Sequence, residues 1–227
     1  MNPSETDALA LSLAVASRSV LWSLPPAVLV AWLLVRGRFP GRTALDAFVH
    51  LPLVLPPVAV GYLLLLLFGT RGPVGGWLLR TFDLRLIFTR NGAALATAVM
   101  SFPLLVRALR ISLENVDRGL EEAARTLGAG TVDRFVTVTL PLMLPGIIAG
   151  TITALAAGLG EFGAVITFAA NIPGETRTLP LALYTALQSP GGDREAARLA
   201  ALSIGLGVGG LLLAEWFARR VRAMLGR

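Results

Sequence analysis

The chain alternates long apolar runs with short polar segments, and that alternation limits what it can fold into. Runs near 9–35, 44–68, 91–111, 142–170 and 196–218 are almost free of charge. Roughly 20 apolar residues cross about 30 Å of hydrocarbon; four runs exceed that length and the fifth comes close. A backbone in lipid cannot hydrogen-bond to water, so runs of this length must be helical. The expected fold is all-α and integral to a membrane, with about five transmembrane helices. No polar stretch is large enough for a separate soluble domain, so residues 1–227 are expected to form one unit. With 55% hydrophobic and 15% charged residues, the chain is more apolar and less charged than soluble domains of this size.

All 20 basic side chains are arginine, and the formal net charge is +6. In a soluble chain that balance would suggest nucleic acid. Here the arginines sit between apolar runs, where topology and anionic headgroups account for them, so no nucleic-acid partner is expected. Cysteine is absent, which excludes disulfides, thiolate nucleophiles and iron–sulfur ligation. A single histidine, His50, argues against a histidine-built metal site. The first residues are acidic and the first apolar run is long enough to span, so no cleaved signal is expected. The segments 36–42, 107–134 and 219–227 hold twelve arginines; 1–8, 69–90 and 171–195 hold six. The bias predicts a cytoplasmic C-terminus and an external N-terminus, which agrees with an odd number of spans.

One polar block interrupts the apolar pattern, at 117–141. Asp117 is suited to cap a short helix, and Glu121 and Glu122 suit its positive end. Leu120, Ala123, Ala124 and Leu127 recur at helical spacing and form a small, flat apolar face. Gly128 is a natural left-handed stop. Thr131 is expected to cap a second short helix with a face of Val132, Phe135 and Val136, and Pro141 suits the first turn of the next span. Two such helices can lie on headgroups or dock into a protein. Ala123 and Ala124 offer lipid little area but let a helix approach a protein surface closely.

The same block resembles a known family. Glu122-Ala-Ala124, three residues, Gly128, nine residues and Val138-Thr-Leu140-Pro141 match the EAA-loop signature of bacterial ABC importer permeases, with Val138 where the family carries isoleucine. In that family the loop is a coupling helix that fits a groove on an ATP-hydrolysing subunit. The resemblance therefore implies an ATPase-coupling role for Glu121, Glu122, Ala123, Ala124, Leu127, Gly128, Leu140 and Pro141. LPLVLPPVAVGY at 51–62, SFPLLVR at 101–107, GEFGA at 160–164 and NIPGETRTL at 171–179 are similar to the molybdate permease branch. Sulfate permeases share the EAA loop, leaving a sulfate or other oxyanion permease as the alternative. The resemblance implies a type I importer permease fold in the bacterial inner membrane and a homodimer with two ATPase subunits. It also implies a periplasmic or extracellular oxyanion-binding protein. The chain itself would be non-catalytic and carry no cofactor, since the partner binds ATP and magnesium. No phosphate-binding G-x-x-x-x-G-K-[ST] motif is present, as a lysine-free chain requires. A self-sufficient ion-coupled carrier is the reading from another class; it needs intramembrane acidic or histidine relays, for which only Glu161 qualifies.

Other residues carry two readings each. Glu161 is expected about ten residues inside the fourth span, where a carboxylate costs several kcal/mol unless paired or hydrogen-bonded. A bare carboxylate would repel an oxyanion, so a structural role beside Gly160 and Gly163 is favoured, with Arg18 as a candidate ion-pair partner. Arg18 can instead snorkel to the outer surface. Thr151, Thr153 and Thr167 can offer hydroxyls to a translocation path or bond back to their own helix. Asn171 and Arg177 lie in an external loop; Arg177 can steer an anion, pair with Glu175 or touch the binding protein. Asp46 and His50, one turn apart, read as an interfacial pair.

Overall fold

The computed structural model describes residues 3–224. It contains eleven α-helices, and among the described residues there is no strand. Helix α1 (Pro3–Arg36) runs unbroken through Pro25 and Pro26. At about 1.5 Å per residue it is ~50 Å long, well over the thickness of a bilayer core. It thus begins before the expected 9–35 span, and the residues expected as a polar lead-in are helical.

The second apolar run does not form one straight helix. It divides into α2 (Arg42–Val54) and α3 (Pro57–Phe68), bent by 117°. The cause is the proline pair. Leu55 precedes a proline and adopts extended geometry (φ −78°, ψ 145°), while Pro57 fits the first turn of α3. The segment between the second and third apolar runs, 69–90, contains α4 (Pro73–Phe82), where Trp77 and Phe82 meet edge to face at 5.4 Å.

Helix α5 (Arg90–Glu114) is capped by Thr89, whose Oγ1 accepts from the Gly92 N–H at 3.1 Å. It is the central helix: 61% of its most apolar window is buried, against 17% for residues 131–159 and 11% for 193–213. After it come α6 (Arg118–Thr126) and α7 (Thr131–Arg134), then a five-residue π turn (Phe135–Thr139) and α8 (Leu140–Leu159). From Thr131 to Leu159 the helix is continuous. Thr131 is therefore the first helical residue and not the cap; Gly130 occupies that position.

The expected fourth span, 142–170, ends early. α8 stops at Leu159, and α9 (Gly163–Ala169) is a separate short helix that packs on α3 and α5. Helix α10 (Leu179–Leu187) lies against α11 (Asp193–Met224). The last arginine, Arg227, lies outside the described residues. Among the described residues, four helices are long and apolar enough to cross a membrane, or five if the bent pair α2–α3 counts as one span.

The core forms three clusters along the α1–α5 axis. One joins α1, α3, α5 and α9 around Phe168; a second joins α1, α5 and α8 around Leu105, Leu109 and Met143. A third, small cluster caps the end where α1, α10 and α11 meet. Beside it Glu5, only 1% exposed, accepts from Arg198 Nε at 2.9 Å.

Candidate coupling site and membrane path

The polar block is built as its residue types require. Asp117 Oδ1 accepts from the Gly119 N–H at 2.8 Å and opens α6. Gly128, at φ +91°, closes it in the left-handed region that glycine enters without strain. The Ala129 N–H then returns to the Ala124 carbonyl at 3.0 Å. Leu127 is 89% exposed and Val132 76%, and Leu120 and Val136 are exposed beside them. Ala123 and Glu122 are exposed, whereas Ala124 is half-buried. Phe135 departs from its expected face: it turns inwards and lines a small cavity with Trp32 and Arg36.

Glu121 also turns inwards. Its carboxylate receives Arg36 from the end of α1 and Thr139 from the π turn, and Thr139 Oγ1 donates to Oε1 at 2.8 Å. Glu121 therefore does not belong to the exposed face with Glu122 and Leu127. Leu140 is half-buried and Pro141 exposed, ten residues into a continuous helix. A proline there lacks an N–H, and its ring crowds the carbonyl one turn back. The preceding π turn widens the helix; the Leu140 N–H reaches the Phe135 carbonyl, five residues back.

The residues expected along the membrane path fall into separate places. Glu161 sits in the break between α8 and α9, one residue before the N-cap position Phe162, and its Oε1 accepts from the Ala164 N–H in the first turn of α9 at 2.9 Å. Arg18 is not its partner: Arg18 donates to Asn91 Oδ1 at 3.2 Å. Arg18 stands about 27 Å along α1 from Arg36, close to the thickness of a bilayer core. Gly163 faces Pro57, with a hypothetical Cβ only 2.7 Å from the Pro57 Cβ, so α9 and α3 meet backbone to backbone; Gly160 is exposed. Thr153 and Thr167 bond back to the Ala149 and Gly163 carbonyls, at 2.9 and 2.8 Å. Thr151 is half-buried.

Asn171 and Arg177 do come together. Arg177 Nε donates to Asn171 Oδ1 at 2.9 Å, and Asn171 Nδ2 donates to Thr185 Oγ1 at 2.8 Å. Glu175 pairs instead with Arg90, at 3.6 Å. The Leu179 N–H donates to Ser12 Oγ at 2.7 Å, fixing the loop to α1. Arg177 lines a cavity of about 160 Å³ with Ser4, Glu5, Thr185 and Glu195. At the opposite end, Asp46 and His50 are joined by Arg110, whose NH1 is 3.1 Å from Asp46 and whose Nε is 3.0 Å from Glu114. The i,i+4 spacings of Asp46–His50 and Arg110–Glu114 were available to a sequence reading. Arg36–Glu121 and Glu5–Arg198 span too much chain to leave any local signal.

Residues 23–223 match the family of binding-protein-dependent transport system inner membrane components. The chain belongs to this family. It is an inner membrane component of a transport system, and a non-catalytic one. It is 58% identical over 223 residues to the molybdenum transport system permease protein ModB of Escherichia coli strain K12, covering 98% of this chain and 97% of that relative. The corresponding ModB of Haemophilus influenzae is 52% identical over 223 residues, with the same coverage. The sulfate transport system permease protein CysT of E. coli is 43% identical over 161 residues, 71% of this chain and 58% of the relative. Among solved structures, a bacterial alginate ABC transporter in complex with a pentasaccharide-bound periplasmic protein superposes with a TM-score of 0.73 at 20% identity. That match covers 99% of this chain and 80% of the other, and shows a shared fold.

Proposed function

We propose that this chain is the permease subunit of an ATP-driven importer for molybdate, with tungstate as an accepted analogue. It works as a homodimer with two cytoplasmic ATPase subunits and an external oxyanion-binding protein. Residues 1–227 form one transmembrane unit, with the C-terminus in the cytoplasm and the N-terminus outside. Segment 117–141 is its coupling loop. ATP and magnesium bind to the partner, and closure of the two ATPases moves the coupling helices and switches access from outside to inside.

The observation that carries this reading is the exposed apolar face of Leu120, Leu127 and Val132 on an otherwise polar element, which has no intrachain cover. An apolar patch on a polar element is what a protein groove takes up. The near full-length similarity to molybdenum permeases supports the cargo. The poorly buried sides of α8 and α11 leave area for lipid and for a second copy.

The test is to co-express the chain with its ATPase and binding-protein partners and measure ATP-dependent uptake into vesicles. Molybdate uptake that depends on ATP and outcompetes sulfate by at least tenfold is expected. Sulfate uptake in preference to molybdate would establish the second reading, which the CysT similarity favours. Uptake without any ATPase would overturn both.

A further inference from the structure

Arg36 of α1 and Thr139 of the π turn meet on one carboxylate in the coupling helix, and carbonyls at the end of α5 hold the same arginine. Arg36 closes α1, with its NH2 3.3 Å from Glu121 Oε1 and its Nε 3.3 Å from Oε2. The same NH2 lies 3.4 Å from the carbonyls of Leu113 and Val116, at the end of α5 and just beyond it. Thr139, buried below α8, donates to Oε1 at 2.8 Å. The pair is largely withdrawn from water, with side-chain exposures of 12% for Arg36 and 19% for Glu121. Glu122, the next residue, is exposed.

The C-terminal connection of α6 is built from glycines. Gly128 and Gly130 separate it from α7, and Gly128 has a positive φ that glycine adopts freely. The π turn lies between α7 and α8, a type of irregularity frequent at functional positions. A displaced helix moves others only through contiguous contacts that both share. Around α6 the Glu121 cluster supplies such contacts directly to α1 and to the π turn that leads into α8, and through Arg36 to the end of α5.

We propose that Arg36, Glu121 and Thr139 form a transmission joint. Glu121 is a positioning residue that passes displacement of the coupling helix into α1, α5 and α8 of its own chain. Glu122, Leu127 and Val132 are left to meet the ATPase. The joint rests on the coupling role proposed above, and it reassigns Glu121 from the docking face to the interior.

The test uses the full chain assembled with the ATPase and the binding protein. Glu121→Ala is expected to keep the ATPase on purification while cargo moved per ATP hydrolysed falls at least tenfold. Glu121→Gln, which keeps an acceptor for Thr139, is expected to fall between the two. Leu127→Asp serves as the docking control and is expected to lose the ATPase. If Glu121→Ala sheds the ATPase as Leu127→Asp does, Glu121 is a docking contact and the joint is wrong. Wild-type cargo per ATP in Glu121→Ala would also overturn it. A second arm uses the permease alone in inside-out vesicles: trypsin cleavage at Arg118 and Arg125 is expected to run at least fivefold faster in Glu121→Ala. An unchanged cleavage rate overturns the joint whatever the ATPase does. If the wild-type chain retains no ATPase, the coupling role fails instead, and the trypsin arm still decides the joint.

Discussion

At residue scale, Glu161 shows how a costly group is accommodated in a membrane protein. A carboxylate at bilayer depth must be paired or hydrogen-bonded. Here the helix breaks beside it, and the freed Ala164 N–H becomes its donor. The role is therefore that of a cap, and charge is not essential to it. Glu161→Gln keeps an acceptor and is expected to leave transport within about twofold of wild type. Glu161→Ala removes the acceptor and is expected to cost about 1 kcal/mol, the usual worth of a helix cap, read as a lower thermal midpoint in detergent. Abolished transport in an intact, folded Glu161→Gln variant would point instead to a role on the path. Gly61 makes a second case: a Cβ there would lie 2.7 Å from the Ala164 carbonyl oxygen and 2.8 Å from the Thr167 Cβ. Backbone cannot give way as a flexible side chain can. Gly61→Ala is expected to destabilise the chain by about 1–3 kcal/mol, the range for overpacking, in the same thermal measurement.

At the scale of elements, the length of the apolar runs located the membrane segments but not where two of them break. Length and hydropathy fix a membrane segment because the bilayer imposes a single requirement on any backbone. The breaks depend on local chemistry that hydropathy ignores: Pro56-Pro57 between α2 and α3, and Gly160-Glu161 between α8 and α9. The helical punctuation of the 117–141 block was legible because caps and glycine stops act locally, and both Asp117 and Gly128 do what their residue types suggest. Which of Glu121 and Glu122 faces inwards was not legible, since the decision belongs to Arg36, far away in sequence. The exposed face of α6 yields an element-scale test. Leu127 is almost wholly exposed, so Leu127→Asp is expected to change the permease's own stability by less than about 0.5 kcal/mol. Deleting 121–128 is likewise expected to leave membrane insertion intact, and both changes should abolish co-purification of the ATPase. Normal co-purification with the deletion variant would defeat the coupling role.

For the whole molecule, the tertiary contacts sort several segments into two ends. Glu5 with Arg198, and Ser12 with Leu179, gather the start of α1, the loop before α10 and the start of α11 at one end. Arg36 with Leu113, Val116 and Glu121 gathers the end of α1, the end of α5 and the coupling helix at the other. Segments 1–8 and 171–195 thus fall at one end and 36–42 and 107–134 at the other, as arginine counting groups them, and the arginine-rich end is expected in the cytoplasm. Contact geometry and arginine counting thus divide these segments in the same way, and the assignment of inside and outside rests on charge. The cysteine-free sequence makes that assignment directly measurable, because one introduced thiol is then the only thiol in the chain. Pro173 and Asp133 are exposed at opposite ends, so Pro173→Cys and Asp133→Cys report on the two sides separately. A membrane-impermeant maleimide added to intact spheroplasts is expected to label Pro173→Cys. Asp133→Cys is expected to label only after the membrane is opened. The reverse pattern would turn the molecule over and place the coupling helix where no ATP-driven partner could reach it.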